Sequence, residues 1–231
     1  MNLGALQELD RSILLAFNGS DNLFMDSFML TLTSAYTWIA LYASLLYLVI
    51  KNNENWLKIM LVIGAVALSL TVVDGVNLGF IKPLVARPRP LETHVLQRLV
   101  VATNHYRAEG YSFFSSHAAN AFVVAVFFSL LVRDRIFSAF MTAWSITLSA
   151  TRLYLGVHYP SDILAGMLFG SVVAALVYYL YCRIYARCSD KLHYISTKYT
   201  QTGYSFADID VVICVLLLTF IYAAFRAVLS I

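Results

Sequence analysis

The stretch SFFSSHAAN, residues Ser112 to Asn120, runs directly into AFVVAVFFSLLV, Ala121 to Val132, which carries no charge. A helix over this run is apolar on every face. Such a helix belongs in the core of a large protein or in a bilayer. Ser115, Ser116 and His117 sit at its entrance. Taken alone, those nine residues read as serine capping beside an incidental histidine.

Composition selects the bilayer. The chain has 231 residues, of which 60% are hydrophobic and 13% charged, with a mean hydropathy of +0.73. A soluble domain carries roughly twice that charged fraction. The aromatic content of 14% suits interfacial belts of Tyr and Trp. A net charge of +3 is too small to argue for nucleic acid. Cys182, Cys188 and Cys214 show no metal or redox spacing and read as packing residues. The first residues include Glu8 and Asp10 and lack a basic segment, so the first span is expected to serve as an uncleaved insertion signal.

The hydropathy pattern predicts an all-α polytopic membrane protein with six spans, forming one domain over residues 1–231. The spans are Phe28 to Ile50, Leu57 to Phe80, His117 to Val132, Ile136 to about Leu155, Ile163 to Tyr181, and Ile209 to near the C-terminus. Leu6, Leu9, Ile13, Leu14 and Phe17 share one face at helical spacing, which predicts an amphipathic interfacial helix within residues 1–22. Residues 81–116 form a long loop stiffened by Pro83, Pro88 and Pro90, with an interfacial helix expected over Leu91 to Val101. Residues 151–162 form a tighter loop on the same side. Basic residues tie between the two sides at eight each. The short loops break the tie: Lys51 and Lys58, then Arg133 and Arg135, mark the cytoplasmic side. Arg183, Arg187, Lys191 and Lys198 lie with them. The long loop then faces outward.

Three outward stretches carry polar chemistry. KPLVARPRP, Lys82 to Pro90, holds three cations in eight residues, read either as a snorkelling basic flank or as an oxyanion cradle. The helix starting near Ser116 aims free N–H groups and its positive dipole end outward, and His117 in its first turn can hand a proton to a leaving group. TRLYLGVHYPSD, Thr151 to Asp162, places His158 and Asp162 four apart, with Arg152 as a further cation. A carboxylate at the helix start can fix an imidazole tautomer and leave the other nitrogen free to attack. Capping beside an interfacial ring is the structural alternative. A metal pair is another, although the outer loops add only Glu92 and Glu109 as carboxylates. Charged groups within a bilayer are costly enough that such a cluster is a functional candidate.

These stretches resemble the signature of the type 2 phosphatidic acid phosphatase (PAP2) family, integral-membrane lipid phosphatases related to vanadium haloperoxidases. Lysine, six residues, then Arg-Pro is matched by Lys82 and Arg89-Pro90. Pro-Ser-Gly-His appears as Phe114-Ser115-Ser116-His117, without the proline and glycine. Ser-Arg, five residues, His, three residues, Asp appears as Thr151-Arg152, His158 and Asp162. The resemblance implies a PAP2/haloperoxidase-like core and no cofactor. His158 would be the nucleophile of a phosphohistidine intermediate. Asp162 would orient it, and His117 would serve as acid and then as base. Lys82, Arg89, Arg152, the Ser115 hydroxyl and the Ser116 N–H would hold the phosphate. Arg87 lies outside the signature.

The expected partners are the bilayer and a membrane lipid phosphate, with no nucleic acid. The expected location is the bacterial cytoplasmic membrane, with the site facing the periplasm or exterior. Lipid A and undecaprenyl pyrophosphate are the favoured substrates. Phosphatidylglycerol phosphate, phosphatidic acid and phosphoryl transfer to a second lipid are alternatives. The loop bearing His94, Arg98, His105 and Arg107 suits a large anionic head group. A site built from fixed cations predicts phosphate release indifferent to EDTA and competitively inhibited by vanadate. Activity lost in EDTA and restored by added metal would revive the metal-pair reading.

Overall fold

A side-chain cap starts four of the long helices, those beginning at Leu23, Trp56, Ser116 and Arg135. The computed structural model describes residues 3–20, 22–103, 106–188 and 197–230. Helix α1 spans Leu3–Phe17. Asn22 accepts from Phe24 N to open α2, Leu23–Thr33. A 3-10 turn, Ala35–Trp38, leads into α3, Ile39–Lys51. Asn55 caps α4, Trp56–Val76, which passes through a π-helical turn, Asn77–Ile81, into α5, Lys82–Val85. Ser115 caps α6, Ser116–Val132, and Asp134 caps α7, Arg135–Tyr154. Helices α8, Pro160–Cys188, and α9, Phe206–Leu229, complete the described chain. Each cap satisfies N–H groups that a helix start leaves without an internal partner.

Trp56–Glu92, Pro160–Arg187 and Phe206–Leu229 are long and apolar enough to cross a membrane. The expected first span, Phe28 to Ile50, is corrected: α2 and the Ala35–Lys51 segment meet at a bend of 67°, and the pair can count as one crossing. Ser34 takes an extended conformation there, with φ −72° and ψ 127°. A break in lipid is tolerable only if the freed carbonyls find donors. Thr37 Oγ1 donates to Thr31 O at 2.6 Å, and Trp38 Nε1 donates to Leu32 O at 2.8 Å. Two further boundaries differ. The 81–116 segment keeps its first turn helical through Val85. The segment expected as a helix over Leu91 to Val101 is a short 3-10 turn, Pro90–Glu92, followed by a series of turns. Its Leu96 and Val100 pack with Leu14 of α1 and Tyr159, so burial against α1 sets its shape. His105 and Lys191 lie outside the described residues.

Helix α6 is central, packed against α8, α7 and α4, while α9 packs on α2 and α3. Trp38 stands edge-on to Trp144 and Phe220, with ring centroids 5.7 and 5.4 Å away. The α6–α8 contact is backbone to backbone. A Cβ at Gly166 would lie 2.5 Å from Ser115 O, and one at Gly170 would lie 2.2 Å from Ala119 O. Small residues at four-residue spacing permit this approach between membrane helices.

Gly170→Ala must therefore displace backbone, an overpacking cost of about 1–3 kcal/mol. Its melting temperature in detergent is expected to fall by several degrees, at about 2–4 °C per kcal/mol for a chain of this size. Gly64→Ala, where a Cβ meets nothing within 4 Å, is the control and should not fall. Equal melting temperatures for both variants would refute the close-contact account.

Candidate active site

The end of α4 and α5, the start of α6, the end of α7 and the loop into α8 meet at one end of the bundle. They enclose a chamber of about 520 Å³ whose lining includes Lys82, Arg89, Ser116, His117, Arg152 and His158. Six of the eight residues expected at the site thus share one chamber. The other two lie behind it. Ser115 is fully buried, and its Oγ accepts from Ala118 N as the cap of α6. Asp162 is fully buried behind His158.

His158 sits in the loop between α7 and α8, almost wholly buried. Its Nδ1 lies 3.7 Å from Asp162 Oδ2 and 3.4 Å from Ser112 Oγ. Ser112 in turn donates to Asp162 Oδ2. This arrangement favours a proton on Nδ1, which leaves Nε2 with its lone pair. Nε2 lies 3.4 Å from Arg89 NH1. Asp162 is held on all sides: Arg87 NH1 donates to Oδ1 at 2.5 Å, and Tyr159 N donates to Oδ2 at 3.0 Å. Its carbonyl accepts from Ser115 N at 3.0 Å, which ties the start of α6 to the start of α8.

The cations differ in their partners. Arg89 donates to three backbone carbonyls, those of Gly110, Val157 and Glu109, each at 2.8 Å. Arg152 NH1 donates to Thr33 Oγ1 at 2.6 Å and to Tyr106 OH at 3.0 Å, and its buried Nε has no partner among the described residues. All these partners are neutral, so both guanidinium charges remain available to an anion. Arg87 is different. It pairs with Asp162 and, at 2.8 Å, with Asp10 of α1, and it stacks 3.9 Å from the Tyr159 ring centroid. Two carboxylates neutralise it, so it braces Asp162.

Sequence reasoning missed Asp10, Thr33, Ser112 and Asn77. None carries a spacing signal, because each reaches the site through tertiary packing. Asn77 explains the departure at Ser116. From the π-helical turn, Asn77 Nδ2 donates to Ser116 Oγ at 2.8 Å and to Phe114 O at 3.0 Å. With its oxygen accepting there, Ser116 keeps its hydroxyl proton as a donor to the chamber. His94, Arg98 and Arg107, expected to favour a head group, are not among the chamber-lining residues. No group of three or more His, Cys, Asp or Glu able to hold a metal occurs among the described residues.

A second cavity, of about 480 Å³, is apolar and runs between α3, α4 and α6 along Leu45, Val62, Val66, Leu70, Val124 and Phe128. Tyr42 and Asn120 line both cavities, so the two adjoin at these side chains.

Comparison with known proteins follows the same lines. The model of the PAP2 superfamily matches residues 58–186. A lipid A 4'-phosphatase of Bacteroides thetaiotaomicron is 39% identical, over 79% of this chain and 81% of its own. A lipid A 4'-phosphatase of Porphyromonas gingivalis is 30% identical, over 78% and 75%. A lipid A 1-phosphatase of Rhizobium etli is 33% identical over 54% and 52%. No solved structure gives a significant match.

Burial pushes the His158 imidazole down to about 4; Asp162 opposes this, while Arg152 and Arg89 reinforce it. A lowered value means the ring stays neutral, with Nε2 able to attack, at any pH above about 4. The acid limb of kcat/KM, corrected for ionisation of the substrate phosphate, is expected near pH 4; a His158 limb near the ordinary 6.5 would contradict it. His158→Ala is expected to lose about 10³-fold or more in turnover while staying folded in detergent.

Proposed function

The chain belongs to the PAP2 superfamily and is a membrane lipid phosphatase, and from that premise we propose that its substrate is lipid A and that it cleaves the 4'-phosphate ester. The observation that carries the phosphatase reading is the chamber in which Lys82, Arg89, Arg152, His117 and His158 converge. The 4' position is favoured because the two relatives matched over three quarters or more of both chains bear that name.

In this reading His158 Nε2 attacks phosphorus and the ester P–O bond breaks. His117 gives its proton to the departing sugar oxygen. Lys82, Arg89 and Arg152 hold the equatorial oxygens, where phosphoryl-transfer charge gathers, and the Ser116 N–H and hydroxyl add neutral donors. His117, now neutral, takes a proton from water as the water attacks phosphorus. The P–N bond breaks, and inorganic phosphate leaves. Ser115 acts through the helix cap, and Asp162 with Ser112 holds the His158 tautomer. Fixed cations supply what a metal supplies elsewhere, so the reaction needs none.

We place the protein in the bacterial cytoplasmic membrane with six crossings: the α2–α3 pair, α4, α6, α7, α8 and α9. Helix α1 lies in the interface, and residues 1–231 form one PAP2-type domain. The chamber opens towards the periplasm. This is supported by Lys51, Lys58, Arg133 and Arg135, which stand at helix ends opposite the chamber.

Purified protein given bisphosphorylated lipid A should release one phosphate, and mass spectrometry should find the remaining one at the 1 position. Loss of the 1-phosphate would reverse the positional assignment. Hydrolysis confined to undecaprenyl pyrophosphate would replace the substrate. Phosphate recovered on an added acceptor lipid, in place of free phosphate, would make it a transferase.

A further inference from the structure

Asp74 is the one chamber-lining carboxylate on a membrane-crossing helix among the described residues. It shares a face of the α4–α5 run with Leu78 and Lys82, at four-residue steps, and all three line the chamber. Eight residues at about 1.5 Å each put it about 12 Å from Lys82. Asn120 lies one turn beyond Ser116 and His117 on α6, and its Nδ2 donates to Asp74 Oδ1 and Oδ2, both at 3.1 Å. That amide is the only hydrogen-bond donor to the Asp74 carboxylate among the described residues. Asn120 Oδ1 is buried with no partner. Acceptor capacity is thus left over on both side chains, in a place where an unmet charge or polar atom is costly.

The position defines what can meet that demand. A carboxylate repels phosphate, and the phosphate end is already supplied with three cations. On the other side Asn120 opens onto the apolar groove. Asp74 and Asn120 therefore mark the junction between the phosphate chamber and the apolar groove. In a lipid phosphate the matching groups lie where acyl chains join the head group. In an acylated sugar those groups are hydroxyls and amide N–H groups. In a polyprenyl phosphate the same region holds only C–H.

We propose that Asp74 and Asn120 form a subsite that accepts hydrogen bonds from hydroxyl or amide N–H groups at the acyl–sugar junction, and that this subsite selects acylated sugar phosphates over polyprenyl phosphates. The inference rests on the lipid A reading above and deepens it. The pair orders the part of the substrate next to the reacting phosphate, so its effect is one of discrimination between substrates.

The test measures kcat/KM for an acylated glucosamine 4-phosphate and for farnesyl phosphate, on wild type, Asp74→Ala and Asp74→Asn, with thermal unfolding of each in detergent. The ratio of the two values is expected to fall about tenfold or more in Asp74→Ala, the size of a lost hydrogen bond to a charged group. Asp74→Asn keeps one acceptor and fills the same space; its ratio should fall by about threefold or more, and it decides the matter should Asp74→Ala fail to fold. An unchanged ratio in the folded variants overturns the subsite and leaves the phosphatase assignment standing. A wild type that cleaves farnesyl phosphate and spares the acylated sugar overturns both.

Discussion

Everything at the catalytic end depends on how closely α6 approaches α8. Gly166 and Gly170 let the α8 backbone reach the carbonyls of Ser115 and Ala119, and Ser115 N closes the contact on Asp162 O. His117 stands two residues from one side of that contact, and His158 four residues from the other. A side chain at either glycine would move one histidine relative to the other. If the two histidines act as proposed, little displacement is tolerable, since misplacement by about 1 Å can cost 10²-fold in rate. The glycines line no part of the chamber, yet they set the spacing of the two histidines that do.

The same end of the bundle separates structural charge from functional charge. Arg87 is cancelled by Asp10 and Asp162, and through it α1 is fastened to the back of the site. Arg89 and Arg152 are buried against carbonyls and hydroxyls instead. Neutral acceptors fix a guanidinium without spending its charge. A buried cation without a counterion is unfavourable, and in the proposed reading the substrate phosphate supplies that counterion. The need for neutral acceptors also explains why the bend at Ser34 persists: it delivers Thr33 to Arg152, and Thr37 and Trp38 satisfy the carbonyls it frees.

What the sequence discloses is what repeats at fixed spacing. Lys82 and Arg89, Arg152 and His158, and the Ser-Ser-His entrance were readable because chain-local geometry holds each set together. The sequence reading also expected their loops on one side, and the structure brings them to one end of the bundle. The bend at Ser34 was not readable, since Ser-Ala-Tyr-Thr-Trp contains neither Pro nor Gly, and the residues that stabilise it are ordinary in a helix. Asp10 and Asn77 reach the site from distant positions, with no local pattern to mark them, and Ser112, although near Ser115 in the chain, acts through Asp162 50 residues away. The small-residue step from Gly166 to Gly170 was visible in the sequence, but its partner on α6 was not. Ser116 stands where the family signature has glycine. Its oxygen meets Asn77 from the π-helical turn, so the two departures from regularity complement each other.

The polarity of the interior runs in one direction. It passes from three cations and two histidines, through Asp74 and Asn120, to a groove walled by Leu, Val and Phe. Only an amphiphile with an anionic tip, a polar middle and apolar chains matches all three zones in order. A soluble phosphate ester would fill the first zone and leave the groove to lipid or to poorly hydrated space. A simple alkyl or polyprenyl phosphate would fill the first and last and bury Asp74 against C–H groups, a desolvated acceptor without a donor. The middle zone is therefore the discriminating one. Selectivity in this fold can arise from an unmet acceptor beside a phosphate site whose catalytic groups need not change.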